Sequence, residues 1–149
     1  MPARSTKREG LGEALQAQLE GRGEARKLGR QSYLFHVGDA VDALSVVTSG
    51  DVELCYPLTE RRLVVVERLK RGNLLGWSAL VPPYRSTLTC RATSDVELCC
   101  YPREVMKGAF EADPRFGYEV MRRLTELIGA RLSAMQALWL RELQRAIEA

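Results

Sequence analysis

The sequence predicts a mainly β domain flanked by helices: a sandwich or barrel of short strands, with a short helix before it and a long one after it. Three observations predict this. Between Ser32 and Tyr101 the apolar residues fall in short β-branched or alternating runs. Turn residues punctuate those runs at the close spacing of an all-β fold. On both flanks the apolar residues instead recur at steps of three and four, the period of a helix.

Taken in order, residues 1–10 are basic and polar and read as a disordered tail. Leu11, Leu15 and Leu19 mark a short amphipathic helix over residues 12–20, and Gly21 and Gly23 break it into a loop. Strands are expected at 32–35, 43–47, 51–56, 62–69, 86–92 and 95–101. Gly38-Asp39, Ser49-Gly50-Asp51, Gly72-Asn73, Pro82-Pro83 and Ser94-Asp95 supply the turns between them. Pro102 suits the start of a helix over 103–111, and Pro114 opens a second over about 115–147. The latter would be roughly 50 Å long at 1.5 Å per residue, more than so small a domain can cover. Its stripe Leu124, Ile128, Leu132, Met135, Leu138 and Trp139, with Leu143 and Ile147 beyond, therefore asks for a partner, and a second copy of the chain is the natural one.

Composition narrows the function. At 149 residues, 46% hydrophobic and 28% charged, the chain has room for one well-filled core. No apolar run approaches the ~20 residues that span a bilayer, and the N-terminus has no apolar signal core, so a cytoplasmic protein without a membrane partner is expected. Net charge is only +3, which does not support nucleic-acid binding. Cys55, Cys90, Cys99 and Cys100 form no C-x-x-C pair, and the adjacent Cys99 and Cys100 would face opposite sides of a strand, so they read as small buried hydrophobes. His36 is the only histidine, leaving no constellation for a histidine-based metal site or catalytic pair; the chain reads as a non-enzyme without a required cofactor or metal.

Residues 76–87, Gly-Trp-Ser-Ala-Leu-Val-Pro-Pro-Tyr-Arg-Ser-Thr, carry the functional signal. A glycine turn, the start of a short helix and one arginine suit an anion, because helix-start N–H groups attract it and a guanidinium forks onto phosphate oxygens. On spacing alone, a structural turn with a surface arginine fits better; the upstream sequence reverses that.

Three segments together resemble the cyclic nucleotide-binding domain family. In residues 34–54 the positions Phe35, Gly38, Asp39, Asp42, Leu44, Val47, Gly50 and Val52 fall in register with the family's opening pattern, although Ser45 stands where an aromatic is usual. Residues 76–87 match its phosphate-binding cassette, and two helices come after the barrel. The resemblance spans about residues 30–145 and implies a jelly-roll barrel over 29–114, preceded by a tail and helix (1–28) and succeeded by the long helix (115–149) as the dimer element. It implies that Gly76 opens the cassette and that amides around Trp77, Ser78, Ala79 and Leu80 hold a cyclic phosphate. Arg85 would pair with that phosphate, beside Ser86 and Thr87.

One departure matters. The family's ribose-binding carboxylate comes directly after the opening glycine, and here that residue is Trp77, whose indole only donates. Losing that bond costs about 1.5–3 kcal/mol. Three outcomes compete: weak binding of cyclic AMP or cyclic GMP, binding of another small anionic molecule with Trp77 stacked on a base, or loss of the ligand. The expected function is a stand-alone sensor that signals through its last helix to a protein partner. The alternatives are a ligand-degenerate dimerisation or scaffold module, and a truncated DNA-binding regulator; the latter is disfavoured because the chain stops at Ala149, before any helix-turn-helix.

Overall fold

The computed structural model describes the backbone of residues 6–149 and the side chains of residues 10–149. The chain runs α1 (Thr6–Gln18), β1 (Glu24–Leu28), β2 (Tyr33–Phe35), β3 (Ala43–Ser49), β4 (Val52–Thr59), β5 (Arg62–Leu69), β6 (Leu74–Leu75), a 3-10 helix (Trp77–Leu80), β7 (Thr89–Ala92), β8 (Val96–Pro102), α2 (Arg103–Ala112) and α3 (Pro114–Glu148). Two antiparallel four-stranded sheets, ordered β1-β8-β3-β6 and β2-β7-β4-β5, face each other as a jelly roll.

Alternation along the strands builds two cores. In the first sheet Val47, Leu75, Leu98 and Cys100 point between the sheets, where they meet Phe35, Val52, Leu54, Leu69 and Cys90 of the second. Their neighbours Leu44, Val46, Leu74 and Tyr101 point the other way and are covered by Leu11 and Leu15 of α1, Met106 of α2 and Val120, Leu124 and Leu127 of α3. The first sheet is thus buried on both faces. The second has a polar outer face, on which Glu53 takes Arg91 Nη2 at 2.8 Å and Arg68 Nε at 3.1 Å.

Several expectations are corrected. The helix expected over 12–20 spans Thr6–Gln18, so residues 6–10 belong to it; the first five residues of the expected tail lie outside the described residues. The loop expected after it contains β1, which pairs along its length with β8. The two-residue β6 was also not expected. Cys99 and Cys100 do face opposite cores, and all four thiols are unpaired.

The long helix departs most from expectation. Leu124 lies in the chain's own core, and Met135, Leu138 and Trp139 lie against Tyr56, Leu58, Val64 and Val66 of the β4–β5 hairpin. Trp139 meets Tyr56 edge-on at 6.1 Å, and Glu142 receives both Nη atoms of Arg62, at 2.9 and 3.3 Å. The expected stripe is therefore split. Its Leu124, Met135 and Leu138 serve the chain's own barrel, Ile128 is half-buried, and Leu132 and Trp139 are exposed together with Leu140, Leu143 and Ile147.

Candidate functional site

Residues 76–88 leave the first sheet after β6 and enter the second at β7. Gly76 begins the excursion with φ +83°, and a Cβ there would lie 2.6 Å from the Ala43 carbonyl oxygen, so both backbone angle and space require glycine. The 3-10 turn comes next, closed by the Ala79 N–H on the Gly76 carbonyl at 3.0 Å. Tyr84 also takes a left-handed φ of +64°, an uncommon angle for an aromatic residue. It is held by its N–H on the Val81 carbonyl and by its own carbonyl, which accepts from Val41 N–H at 2.8 Å. The second half of the cassette is then zipped to residues 38–41. Ala40 bridges Arg85, Ser86 N–H donates to the Asp39 carbonyl, and Gly38 N–H donates to the Ser86 carbonyl, both at 2.8 Å.

The structure brings together Gly76, Trp77, Ser78, Ser86 and Thr87 of the sequence-assigned residues. They line one small cavity with Phe35, Leu54, Leu88 and Arg131. Its volume is about 10 Å³, room for one water. Ala79 and Leu80 do not line it; Leu80 and the half-buried Trp77 pack against the helix-side core. Arg85 does not line it either. Its guanidinium is exposed and donates from Nη1 to the Gly38 carbonyl at 2.9 Å. The buried Ser86 hydroxyl donates to the Leu88 carbonyl and accepts the Leu88 N–H, so it serves its own turn.

Two arginines that sequence reasoning missed stand against the cassette: Arg103 bonds it directly, and Arg131 lines its cavity and bonds the strand before it. Arg103, first residue of α2, donates from Nε to the Ala79 carbonyl at 2.6 Å and from Nη2 to the Val41 carbonyl at 2.8 Å. Its guanidinium carbon lies 3.7 Å from the centre of the Tyr84 ring, a cation–π contact. Arg131 of α3 is 5% exposed and reaches the cavity wall. Its Nε donates to Glu67 at 2.6 Å and its Nη2 to the Leu74 carbonyl at 2.8 Å. A signal for Arg131 existed: it occupies an apolar-stripe position four residues after Leu127 and four before Met135. Nearby, burial pushes the Cys90 thiol up to about 12, against the opposing pull of the Arg131 guanidinium.

Among the described residues no group of three or more His, Cys, Asp or Glu side chains is placed to hold a metal ion, and no helix is long and apolar enough to cross a membrane. His36 stacks on Tyr33 and sits 3.7 Å from Asp39 at an exposed turn.

The family model described as "Cyclic nucleotide-binding domain" matches residues 25–113. Among solved structures, the chain is similar to the N-terminal domain of a transcriptional regulator from Streptomyces coelicolor A3(2), at 25% identity over 85% of each chain and a TM-score of 0.63. It is also similar to the catabolite activator protein of Thermus thermophilus, at 25% identity and a TM-score of 0.70, covering 89% of this chain and 59% of that one. A cyclic nucleotide-binding domain from Methylobacillus flagellatus shares the fold with a TM-score of 0.73 at 14% identity, over 91% of this chain and 83% of that one. No curated protein matches the chain.

Proposed function

The chain belongs to the cyclic nucleotide-binding domain family, and within it we propose that this domain is a regulatory sensor for a small phosphate-bearing ligand of the cyclic nucleotide class, signalling through α3. One observation carries this reading. Arg131, a residue of α3, forms part of the cassette cavity wall and bonds the carbonyl of Leu74, two residues before the cassette glycine. A guest in that cavity meets Arg131, whose contact with Glu67 seats the helix, so binding there bears on the helix. Binding and helix position are then linked, provided the guest has different affinities for the two helix positions. Arg85, exposed at the rim, is the phosphate partner in this reading and would exchange its bond to the Gly38 carbonyl for the ligand, and the output passes to a second copy or another protein through the exposed face of α3.

The cavity volume of about 10 Å³ and Trp77 in the place of the ribose carboxylate favour a second reading, a dimerisation module of the same fold that has lost its ligand. Thermal shift separates the two. A ligand at a hundred-fold excess over Kd stabilises by about 2.7 kcal/mol. Under the sensor reading, cyclic AMP or cyclic GMP raises Tm in the intact protein and Arg85→Ala removes the rise while leaving the ligand-free Tm nearly unchanged. No shift with any cyclic nucleotide, in the intact protein and in Arg85→Ala alike, supports the ligand-free module.

A further inference from the structure

A larger cavity adjoins the cassette, sharing Phe35 with the cassette cavity and lined by Ala40 and Val41, which pair with Arg85 and Tyr84. The edge strands β1 and β2 belong to different sheets and do not pair, and between them opens a cleft of about 290 Å³. Ladder register decides which side chains face it. Glu24 stands opposite Cys100 and Cys100 opposite Ser45, so the three share one face, that of the inter-sheet core to which Cys100 belongs. Two residues along, Arg26 stands opposite Leu98 of the same core and lies on the same face. The edge strand thus places a carboxylate and a guanidinium, both solvent-exposed, at the cleft's mouth on the face where its neighbours carry Cys100, Ser45 and Leu98. Asp42 adds a second carboxylate from the loop before β3. Among the described residues, the side chains of Glu24, Arg26 and Asp42 make no ion pair or hydrogen bond with one another or with any other group.

The remaining lining explains why the cleft stays open. Ala25, Ala40, Ala43 and Ser45 are small, while Leu34, Phe35 and Val41 give it an apolar wall. Ser45 is buried and places a hydroxyl in the lining. The volume sits at the foot of the ~300–1,000 Å³ range of small-molecule pockets, which limits the guest to about amino-acid size. Two carboxylates against one guanidinium disfavour a phosphate and favour an ammonium, while the fork of Arg26 suits a carboxylate.

We propose that this cleft binds a small zwitterion of the amino-acid class, its carboxylate on Arg26, its ammonium between Glu24 and Asp42, and its hydrocarbon part against Leu34, Phe35 and Val41. The site is independent of the cassette reading and stands or falls without it. The test uses the whole chain with L-leucine and L-phenylalanine, and with 4-methylpentanoate and isopentylamine, which are leucine without its ammonium and without its carboxylate. Melting temperature and the amide resonances of residues 24–26 and 40–45 are tracked at millimolar concentration. The expected result is that one of the amino acids raises Tm and shifts those amides, and that both single-charge analogues bind at least about tenfold more weakly, as loss of a charge-assisted bond requires. Arg26→Glu and Asp42→Lys, both at exposed positions, should each keep the ligand-free Tm and abolish the response. The proposal is overturned if neither amino acid moves those amides, if either analogue binds as well as its parent, or if the response survives Arg26→Glu.

Discussion

Arg131 of α3 and Glu67 of β5 form a 2.6 Å ion pair in which the guanidinium is 5% exposed and the carboxylate side chain 18% exposed. The same guanidinium satisfies the Leu74 carbonyl. Removing one partner of a buried pair strands the other, which costs about 3–5 kcal/mol, whereas replacing both with apolar side chains is often neutral. Arg131→Ala is therefore expected to lower stability by about that amount in urea unfolding, and Arg131→Met with Glu67→Leu to recover most of it. If the single change costs no more than an ordinary surface substitution, the pair does not seat α3.

Arg103 restrains the cassette with two carbonyl bonds and one aromatic face. Hydrogen bonds from a charged donor are worth about 1.5–3 kcal/mol each. Arg103→Ala is expected to cost about 2–4 kcal/mol and to speed amide exchange in residues 77–85 more than in the strands. Arg103→Lys should restore less than half, because an ammonium reproduces neither the planar fork nor the stacking on Tyr84. Uniformly faster exchange throughout the chain would refute a local role.

Glu53 gives the fold an acid-sensitive contact. The hydrogen bond from Arg91 holds its carboxyl below the usual 4.5, opposed by burial and assisted by Arg68. A depressed carboxyl contributes stability that is fully present above its unfolded-state value and lost as pH falls through its folded-state value. Tm is therefore expected to decline below about pH 4.5. Glu53→Gln should be less stable at neutral pH and should flatten this part of the acid profile. An unchanged slope in the variant would place the acid sensitivity elsewhere.

The face of α3 left open by the barrel carries Leu132, Leu140, Leu143 and Ile147, with Ile147 75% exposed. A homodimer through this face predicts that Leu132→Glu with Leu143→Glu yields a monomer in analytical ultracentrifugation, with little change in the chain's own core. Sedimentation of the unaltered protein as a monomer at micromolar concentration would end that assignment.

Strands with alternating character were legible in the sequence because their burial alternates: Ala43–Ser49 and Val96–Pro102 each present apolar residues to two cores. The strand Glu24–Leu28 was not, since four of its five residues are exposed and three carry charge; pairing with β8, not hydrophobicity, makes it a strand. Leu74–Leu75 is too short to show a period. Residues 76–87 stood out in the sequence through a glycine, a short helix start and an arginine, and in the fold Gly76 takes a left-handed angle close against Ala43. The cassette's supports did not stand out, because Arg103 and Arg131 lie far along the chain and only the folded helices bring them to Ala79, Val41 and Leu74. Nor does a helical stripe say which neighbour covers it, and so Met135 and Leu138 turned out to serve the β4–β5 hairpin of their own chain.

The two ion pairs between α3 and β5 have matching intervals. On the helix, Arg131 and Glu142 are 11 residues apart (142 − 131); on the strand, Glu67 and Arg62 are 5 apart (67 − 62). At about 1.5 Å per helical residue and about 3.3 Å per strand residue, both intervals come to about 16.5 Å. Helix and hairpin are therefore commensurate in a single phase. Sliding one past the other thus stretches both pairs together.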